Sequence, residues 1–229
     1  MSRPAGRRAA AATLRATIAQ AAPTLRAASA RLWQRPGLPG RYRGYLCAMH
    51  AVVRASVPVM EFAAGRCAEL VDDPVGGPLQ AYLRHHIEEE RGHDDWLAAD
   101  LAELGAGADP AGLLAQPPPA AAALVGPQYY WIAHVHPVAV LGYIAVLEAN
   151  APAVRLVDRL TSAGIPERAV RTVREHAVLD TGHTEQVFSL LDELPLTEEQ
   201  LRLVSISGLQ TAQALVGLYL HVLRRNPPA

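Results

Sequence analysis

The sequence predicts an all-α protein built as a single bundle of seven helices. Apolar residues recur every three to four positions along nearly the whole chain of 229 residues, which is the period of an amphipathic helix. Good helix formers such as Ala, Leu, Arg and Glu dominate, and the alternating β-branched runs that are typical of strands are absent. Clusters of Gly and Pro divide the chain into segments of helical length.

The N-terminal half of the chain is predicted to form three helices. A tail at 1–9 is expected to be disordered and to precede one helical domain at 10–229. Proline removes a backbone hydrogen bond from a helix, so Pro23 is expected to kink or split the first helix and Pro58 to bend the second. With turns at 35–40 and 72–78 between them, the helices are expected over 10–34, 41–71 and 79–104.

The C-terminal half is predicted to begin with a long loop and to continue with four helices. The segment 105–127 is rich in Gly, Pro and Ala, and long loops of this kind often act as lids or binding elements. Thr197 is expected to cap the last helix, with Glu199 or Gln200 nearby. The four helices are expected over 128–150, 153–164, 167–191 and 197–225.

Composition and charge exclude several classes of function. A formal net charge of −1 gives no reason to expect a nucleic-acid partner or an acidic membrane surface. All 21 basic residues are Arg, which excludes a Lys nucleophile or Schiff base. No stretch reaches 18 consecutive apolar residues, so no membrane-spanning helix is expected. The N-terminal segment lacks the continuous apolar region of a secretory signal, and a cytoplasmic location is therefore expected. Cys47 and Cys67 are too few for a disulfide framework and are interpreted as core residues.

Two of the predicted helices carry the same triad of metal-binding side chains: a His, an acid four residues later, and a second His three residues after the acid. Positions i, i+4 and i+7 of a helix lie within about 60° of each other, so each triad is expected to project from one stripe. Imidazole and carboxylate ligands suit iron, manganese or zinc. The triads are His86, Glu90 and His93 in one helix, and His176, Asp180 and His183 in the other.

The first triad leaves alternatives open. His86 follows another His, so it is either a metal ligand or a side chain that faces solvent or donates a hydrogen bond. Glu89 lies four residues before His93 and can take the place of Glu90 as the ligand. Further along the same segment, Asp100 is interpreted as a surface or helix-cap residue, as are Asp94 and Asp95.

Glu148 is the third element of the predicted site, because it lies in an apolar helix (VAVLGYIAVLEANAPA). A buried carboxylate costs several kcal/mol unless it is paired or bound to a metal, and no Arg occurs on this helix before Arg155. The alternative to a metal is a salt bridge to another helix. Together with the two triads, Glu148 gives as many as seven candidate ligands. This number is enough for two metals that keep open coordination positions. This His and carboxylate set favours redox iron over zinc, which needs fewer ligands.

Three segments occur in an order that resembles a known family: HHIEEERGHDDW, then GYIAVLE, then H-x3-D-x2-H. Over about 40–225, the chain resembles the heme-oxygenase-like diiron oxidases, also called iron-containing redox enzymes. These are related in fold to thiaminase-like and pyrroloquinoline-quinone-synthase-like proteins. Some members carry a Glu seven residues before the first His, where this chain has His86. The resemblance implies two Fe(2+) ions per chain, held by Glu90, His93, Glu148, His176, Asp180 and His183.

The resemblance also implies an activity. Members of the family use dioxygen as cosubstrate to oxidise amines, amino acids or carboxylic acids, often in natural-product biosynthesis. A small-molecule substrate, an external electron donor and a homodimer are compatible with this activity. The substrate pocket is expected among the second, third and fourth predicted helices. Tyr129, Tyr130 and Trp131 are expected either to line or gate this pocket or to pack in the core.

Two other functions compete with this prediction. One is a metal-free, thiaminase-like hydrolase of the same fold, which would need Cys47 or Cys67 as a nucleophile near a carboxylate. The other is a helical protein that binds metal without catalysis.

Overall fold

The computed structural model describes residues 10–105 and 117–226, apart from the side chains of 178–181. The predicted tail at 1–9 and residues 106–116 of the predicted loop lie outside the described residues. The described residues form helices and contain no strand, which confirms the predicted all-α class. The α-helices are α1 (Ala10–Leu32), α2 (Leu38–Cys67), α3 (Gly76–Glu90), α4 (His93–Glu103), α5 (Pro119–His134), α6 (Val140–Ala149), α7 (Arg155–Thr161), α8 (Arg171–Glu193) and α9 (Glu198–Arg225), with short 3₁₀ turns at Pro137–Ala139 and Glu167–Val170.

The predicted third helix is broken in two, between α3 and α4. Arg91 adopts an extended conformation and Gly92 has a φ of 88°, a left-handed conformation that glycine adopts without a steric cost. His93 is therefore the first residue of α4 rather than the last member of one continuous stripe. The prediction that His86, Glu90 and His93 project from a single helix is wrong, although the break still brings the three side chains together.

The predicted fourth helix is also broken, and its first part begins earlier than expected. α5 begins at Pro119, inside the predicted loop, because proline is well tolerated in the first turn of a helix and an Ala-rich run follows it. The chain leaves the helix at Val135, and Pro137 opens the 3₁₀ turn that leads into α6. Glu148 consequently lies near the end of a separate, short and almost fully buried helix.

The core of the bundle is formed where α9 packs against α1, α5 and α6. A Cβ atom at Gly142 of α6 would overlap the carbonyl oxygen of Val204 and lie 2.6 Å from the amide nitrogen of Gly208 in α9. The backbones of α6 and α9 therefore approach as closely as a glycine permits. This approach fixes the position of α6 in the bundle.

Caps and apolar helices complete the fold. At the start of α9, Thr197 Oγ1 accepts the Gln200 N–H at 3.1 Å and Gln200 Oε1 accepts the Thr197 N–H at 2.9 Å, which is the predicted cap in reciprocal form. α1 and α2 continue through Pro23 and Pro58. By length and composition alone α2 and α9 could cross a membrane, but core helices pass the same test.

Candidate metal centre

Four helices bring His and carboxylate side chains to one place inside the bundle. The side chain of Asp180 lies outside the described residues, while the other six predicted ligands meet here together with Glu89. His86 is 1% exposed, so the interpretation that it faces solvent is wrong. The cluster consists of His86, Glu89 and Glu90 from α3, His93 from α4, Glu148 from α6, and His176 and His183 from α8.

On one side of the cluster, Glu90, His93 and His176 offer ligand atoms that all lie within 4.8 Å of one another. His93 Nδ1 is 3.2 Å from Glu90 Oε2, and the rings of His93 and His176 are 4.9 Å apart between centroids. His176 Nδ1 donates a hydrogen bond to the carbonyl oxygen of Thr172 at 3.0 Å. This bond selects one tautomer and leaves Nε2 of His176 as the atom that can bind a metal.

On the other side, His86, Glu89 and His183 also offer ligand atoms within 4.8 Å of one another. His86 Nδ1 lies 3.5 Å and His183 Nε2 lies 3.8 Å from Glu89 Oε2. These contacts favour Glu89, the alternative raised by the sequence, as an additional ligand rather than a replacement for Glu90. The second side thus has the same composition, two His and one carboxylate, as the first.

Glu90 lies between the two sides. Its Oε2 faces His93 at 3.2 Å, and its Oε1 faces His183 Nδ1 at 3.5 Å. Glu148 also lies between helices, with Oε1 3.5 Å from His86 Nε2 and Oε2 3.4 Å from His183 Nδ1. Carboxylates from facing helices are the groups that bridge paired metal ions in helical bundles.

Burial and the neighbouring charges shift the pKa values of three members of the cluster. Burial raises the pKa of the Glu148 carboxyl, but the neighbouring His183 and His86 rings outweigh this effect and lower it to about 2. The Glu148 carboxylate in turn raises the pKa of His183 to about 9. Burial lowers the pKa of His176. Glu148 therefore does pair with a histidine of another helix, which is the salt bridge that the sequence offered as the alternative to a metal.

The polar atoms of the cluster fit a pair of metal ions. His86 Nδ1, Glu89 Oε2 and His183 Nδ1 are buried, and their polar contacts among the described residues are ion-pair distances of 3.4–3.8 Å that form no hydrogen bond. Buried polar atoms are rarely left without a partner in native proteins, so three in one cluster call for an explanation. Coordination of a metal would satisfy all three, and the mixed nitrogen and oxygen donors suit iron.

Comparison with known proteins identifies the family. The model of a family described as iron-containing redox enzymes matches residues 43–216, which is more than half of the chain. The chain belongs to the iron-containing redox enzyme family. No curated protein matches it.

Solved structures similar to this family member show the same fold. A domain of unknown function with a heme oxygenase-like fold, from Shewanella denitrificans OS217, is 19% identical with a TM-score of 0.70, covering 94% of this chain and 89% of that chain. A TenA homologue from Pseudomonas syringae pv. tomato str. DC3000 is 14% identical with a TM-score of 0.66, covering 90% and 91%. The predicted heme-oxygenase-like fold is thereby confirmed.

A cavity, called the inner cavity below, adjoins the cluster of this iron-containing redox enzyme. It has a volume of about 90 Å³ and borders His86, Glu90, Glu148 and His176. Its remaining walls are mainly aliphatic and aromatic and come from α2, α4, α6, α8 and α9. They include Met49, Val53, Met60, Leu97, Ile144 and Leu215.

Tyr129, Tyr130 and Trp131 lie elsewhere, and none of them lines the inner cavity. Tyr129 packs 5.6 Å from Phe62 between ring centroids and borders a separate surface groove. Tyr130 is 58% exposed, and Trp131 Nε1 donates to Gln210 Oε1 at 2.8 Å. The break between α5 and α6 explains the displacement, because the three residues do not share a helix with Glu148.

Asp100, which the sequence presented as a surface or helix-cap residue, has a definite role near the site. Its carboxylate is fully buried on α4 and accepts the backbone N–H groups of Arg171 at 3.2 Å and Thr172 at 2.9 Å. The first N–H groups of a helix have no partner inside that helix, so Asp100 caps α8 from a neighbouring element. The cap interpretation is correct, but the capped helix is the one that carries His176 and His183.

Proposed function

We propose that this iron-containing redox enzyme is a dioxygen-dependent non-heme diiron oxidase or oxygenase that oxidises a small organic molecule, such as an amine, amino acid or carboxylic acid. The observation that carries the proposal is the position of Glu90 between two groups of ligands, with one oxygen directed at each. A single metal would need neither the second group nor a shared carboxylate.

The proposal assigns two Fe(2+) ions to the two sides of the cluster. Glu90, His93 and His176 would hold one ion, and His86, Glu89 and His183 the other. Glu148 lies close enough to supplement the second set, and the family resemblance adds Asp180. When bound, the ions would supply the electrons and the open coordination positions that dioxygen reduction requires.

The residues of this chain prepare the site for that chemistry. The Thr172 carbonyl holds His176 in the tautomer that presents Nε2. His183 carries a proton while it pairs with Glu148, and a metal ion would take the place of that proton. The apolar walls of the inner cavity limit access of water to the cluster.

The remaining parts of the proposal concern the setting of the enzyme. We propose a small-molecule substrate, an external electron donor, a cytoplasmic location and a homodimer, with no role for a nucleic acid or a membrane. A place in natural-product biosynthesis also belongs to the proposal, on the resemblance alone.

The metal-free alternative lacks support among the described residues. A thiaminase-like hydrolase needs a Cys nucleophile near a carboxylate, and the similarity to a TenA homologue shows the fold alone. Cys47 borders a surface groove away from the cluster, and burial raises the pKa of its thiol. Cys67 is buried, and burial raises its pKa to about 11. Neither cysteine lines the inner cavity.

Anaerobic loading with ferrous iron tests the proposal. We expect two iron ions per chain, and on mixing with oxygen a change in visible absorbance together with oxygen consumption in the presence of a reductant. His176→Ala and Glu148→Ala are each expected to lose tight binding of at least one iron. Glu175→Gln, an exposed position on the same helix as His176, is the matched control and is expected to keep both.

Full iron content in His176→Ala and Glu148→Ala would contradict the assignment of the ligands. Two bound irons without oxygen consumption would instead favour a protein that binds metal without catalysis.

A further inference from the structure

A second, larger cavity lies next to the inner cavity. This outer cavity has a volume of about 860 Å³ and is formed by α1, α2, α7, α9 and the chain that follows α6. It is roughly an order of magnitude larger than the inner cavity of about 90 Å³. The bulky or hydrated part of a ligand would fit the outer cavity, and a slender part would fit the inner one.

The two cavities meet at a shared wall, called the neck below. Its residues line both cavities, so the two cavities adjoin at this point. Two of them are aromatic rings from α2 and α9, with centroids 6.3 Å apart. The others directly follow α6, two to four residues after Glu148. The neck consists of Tyr45, Asn150, Ala151, Pro152 and Tyr219.

The two cavities have opposite electrostatic character. The charged side chains that line the outer cavity are Arg26, Arg155 and Arg159, and no acidic side chain among the described residues accompanies them there. None of the three forms an ion pair with a described carboxylate, although Arg159 also borders a neighbouring depression that is lined by Asp158. The inner cavity, in contrast, is lined by no Arg, and its carboxylates belong to the cluster.

We propose that the two cavities together bind one anionic amphiphile, a molecule with an apolar chain and a carboxylate or phosphate head. The head binds the three arginines, and the chain passes the neck so that its apolar end lies beside the cluster. This proposal deepens the proposed function, because it rests on that function for what happens at the cluster. It names the ligand class and its orientation.

Physical chemistry favours this orientation over the reverse. Guanidinium groups bind carboxylate and phosphate oxygens through paired, charge-assisted hydrogen bonds, and three unpaired arginines offer several. In the inner cavity an anionic head would instead face the carboxylates of Glu90 and Glu148 without a neighbouring Arg. Burial of each methylene against the aliphatic walls adds favourable free energy, so affinity should increase about fourfold per added CH₂ group.

Calorimetric titration of the ferrous-loaded protein, under anaerobic conditions, tests the binding. The ligands are decanoate, decyl phosphate and 1-decanol, each below its micellar concentration. We expect one of the two anions to bind at least tenfold more tightly than the alcohol, and the stronger one identifies the head group. In a triple variant with Arg26→Gln, Arg155→Gln and Arg159→Gln, this preference is expected to disappear.

A matched triple variant controls for the loss of three charges. Arg54→Gln, Arg202→Gln and Arg224→Gln remove the same charge from exposed positions that line neither cavity, and this variant is expected to bind like the wild type. Equal affinity for the anions and the alcohol, or an unchanged preference in the first triple variant, would overturn the proposal.

Orientation is measured separately by nuclear magnetic resonance. Protein loaded with Co²⁺ should relax the terminal methyl protons of the bound anion more than the protons next to the head, with Zn²⁺-loaded protein as the diamagnetic control. Faster relaxation beside the head would overturn the proposed orientation.

If the protein binds an anion through these arginines but no iron, the proposed function fails and the ligand assignment stands. If iron binds and the arginines have no effect, the ligand assignment alone fails.

Discussion

Among the residues that the structure describes, two partly or fully buried groups of His and carboxylate side chains differ in how completely their polar atoms are satisfied. In the first, His136 Nε2 donates to Asp73 Oδ2 at 3.1 Å, its Nδ1 accepts the Val138 N–H at 3.1 Å, and Gln200 Nε2 donates to the same Asp73 oxygen at 2.9 Å. In the second, the cluster of proposed metal ligands, three buried atoms have ion-pair contacts at 3.4–3.8 Å but no hydrogen bond.

The contrast separates a structural network from a ligand site. The His136 group joins the turn after α2, the 3₁₀ turn before α6 and the start of α9, and its hydrogen bonds are complete without any further group. The cluster has the same residue types but lacks the partners that burial demands. Removing a residue should therefore cost stability in the first group and metal binding in the second.

The largest expected effect is that of Glu90→Ala. Because Glu90 faces both sides of the cluster, its loss should reduce iron content from two ions per chain to nearly none. The metal-free protein should stay folded but lose about 1–2 kcal/mol in the free energy of unfolding, because the change removes the carboxylate partner of the buried His93 Nδ1. Iron analysis and thermal unfolding measure the two quantities.

Glu88→Ala is the control for this variant. Glu88 lies on the same helix, is exposed and pairs with Arg91 at 3.4 Å. It should keep both irons. Retention of two irons by Glu90→Ala would show that the two sides are not linked through this carboxylate.

The second prediction concerns the proton on His183. Its pKa is raised to about 9 from the usual value of 6.5, so at pH 7 the metal-free protein holds this proton and the ion pair with Glu148. The stabilisation from this pair is complete below pH 6.5 and is lost as the pH rises through about 9. A metal must displace the proton, so apparent Zn²⁺ affinity should increase about tenfold per pH unit from 7 to 9.

Competition with a chelator gives the affinity, and calorimetry in buffers of different ionisation enthalpy counts the released protons. Zn²⁺ is chosen because it does not change oxidation state. Binding without proton release at pH 7 would show that His183 is neutral in the metal-free protein.

Asp100→Asn should have an intermediate effect, which concerns both the free energy of unfolding and the binding of iron. The amide can accept one of the two N–H groups that the carboxylate accepts at the start of α8, so we expect a loss of about 1–2 kcal/mol in the free energy of unfolding. Because α8 carries His176 and His183, iron should also dissociate faster. Thermal unfolding and chelator-driven release of iron measure both effects.

Asp95→Asn, an exposed position on the same helix as Asp100, is the matched control. It should change neither quantity. A stable Asp100→Asn variant with unchanged iron release would show that α8 is positioned by packing alone.

The sequence predicts the cluster well because its signal is local. The apolar setting of Glu148 and the His spacing on two helices are visible in single segments, and the structure brings the six described members of that set together. The breaks between α3 and α4 and between α5 and α6 also have local signals, Gly92 and Pro137. The helical periodicity of the two segments carries more weight in the sequence and predicts continuous helices there. The misplacement of Tyr130 and its two neighbours follows from the second of these breaks.

Other features depend on pairs of residues that are distant in the chain. The close approach of α6 to α9 requires Gly142 to meet Gly208, and neither glycine reveals its partner. Asp100 caps a helix that begins about 70 residues later, as its hydrogen bond to Thr172 shows. Tertiary packing alone creates such pairs, so they appear only in the structure.

The smallest expected effect is that of His136→Ala, which tests the hydrogen-bonded His136 group rather than the cluster. The change removes the hydrogen bond to Asp73 and leaves the Val138 N–H without its acceptor, so we expect a loss of about 1–2 kcal/mol in the free energy of unfolding. Iron content should stay at two ions per chain, since no atom of this group belongs to the cluster. His134→Ala, an exposed neighbour, should change neither quantity. Loss of iron in His136→Ala, at full folding, would mean that this network holds α6 and Glu148 in place, and that the two groups are coupled through the 3₁₀ turn between them.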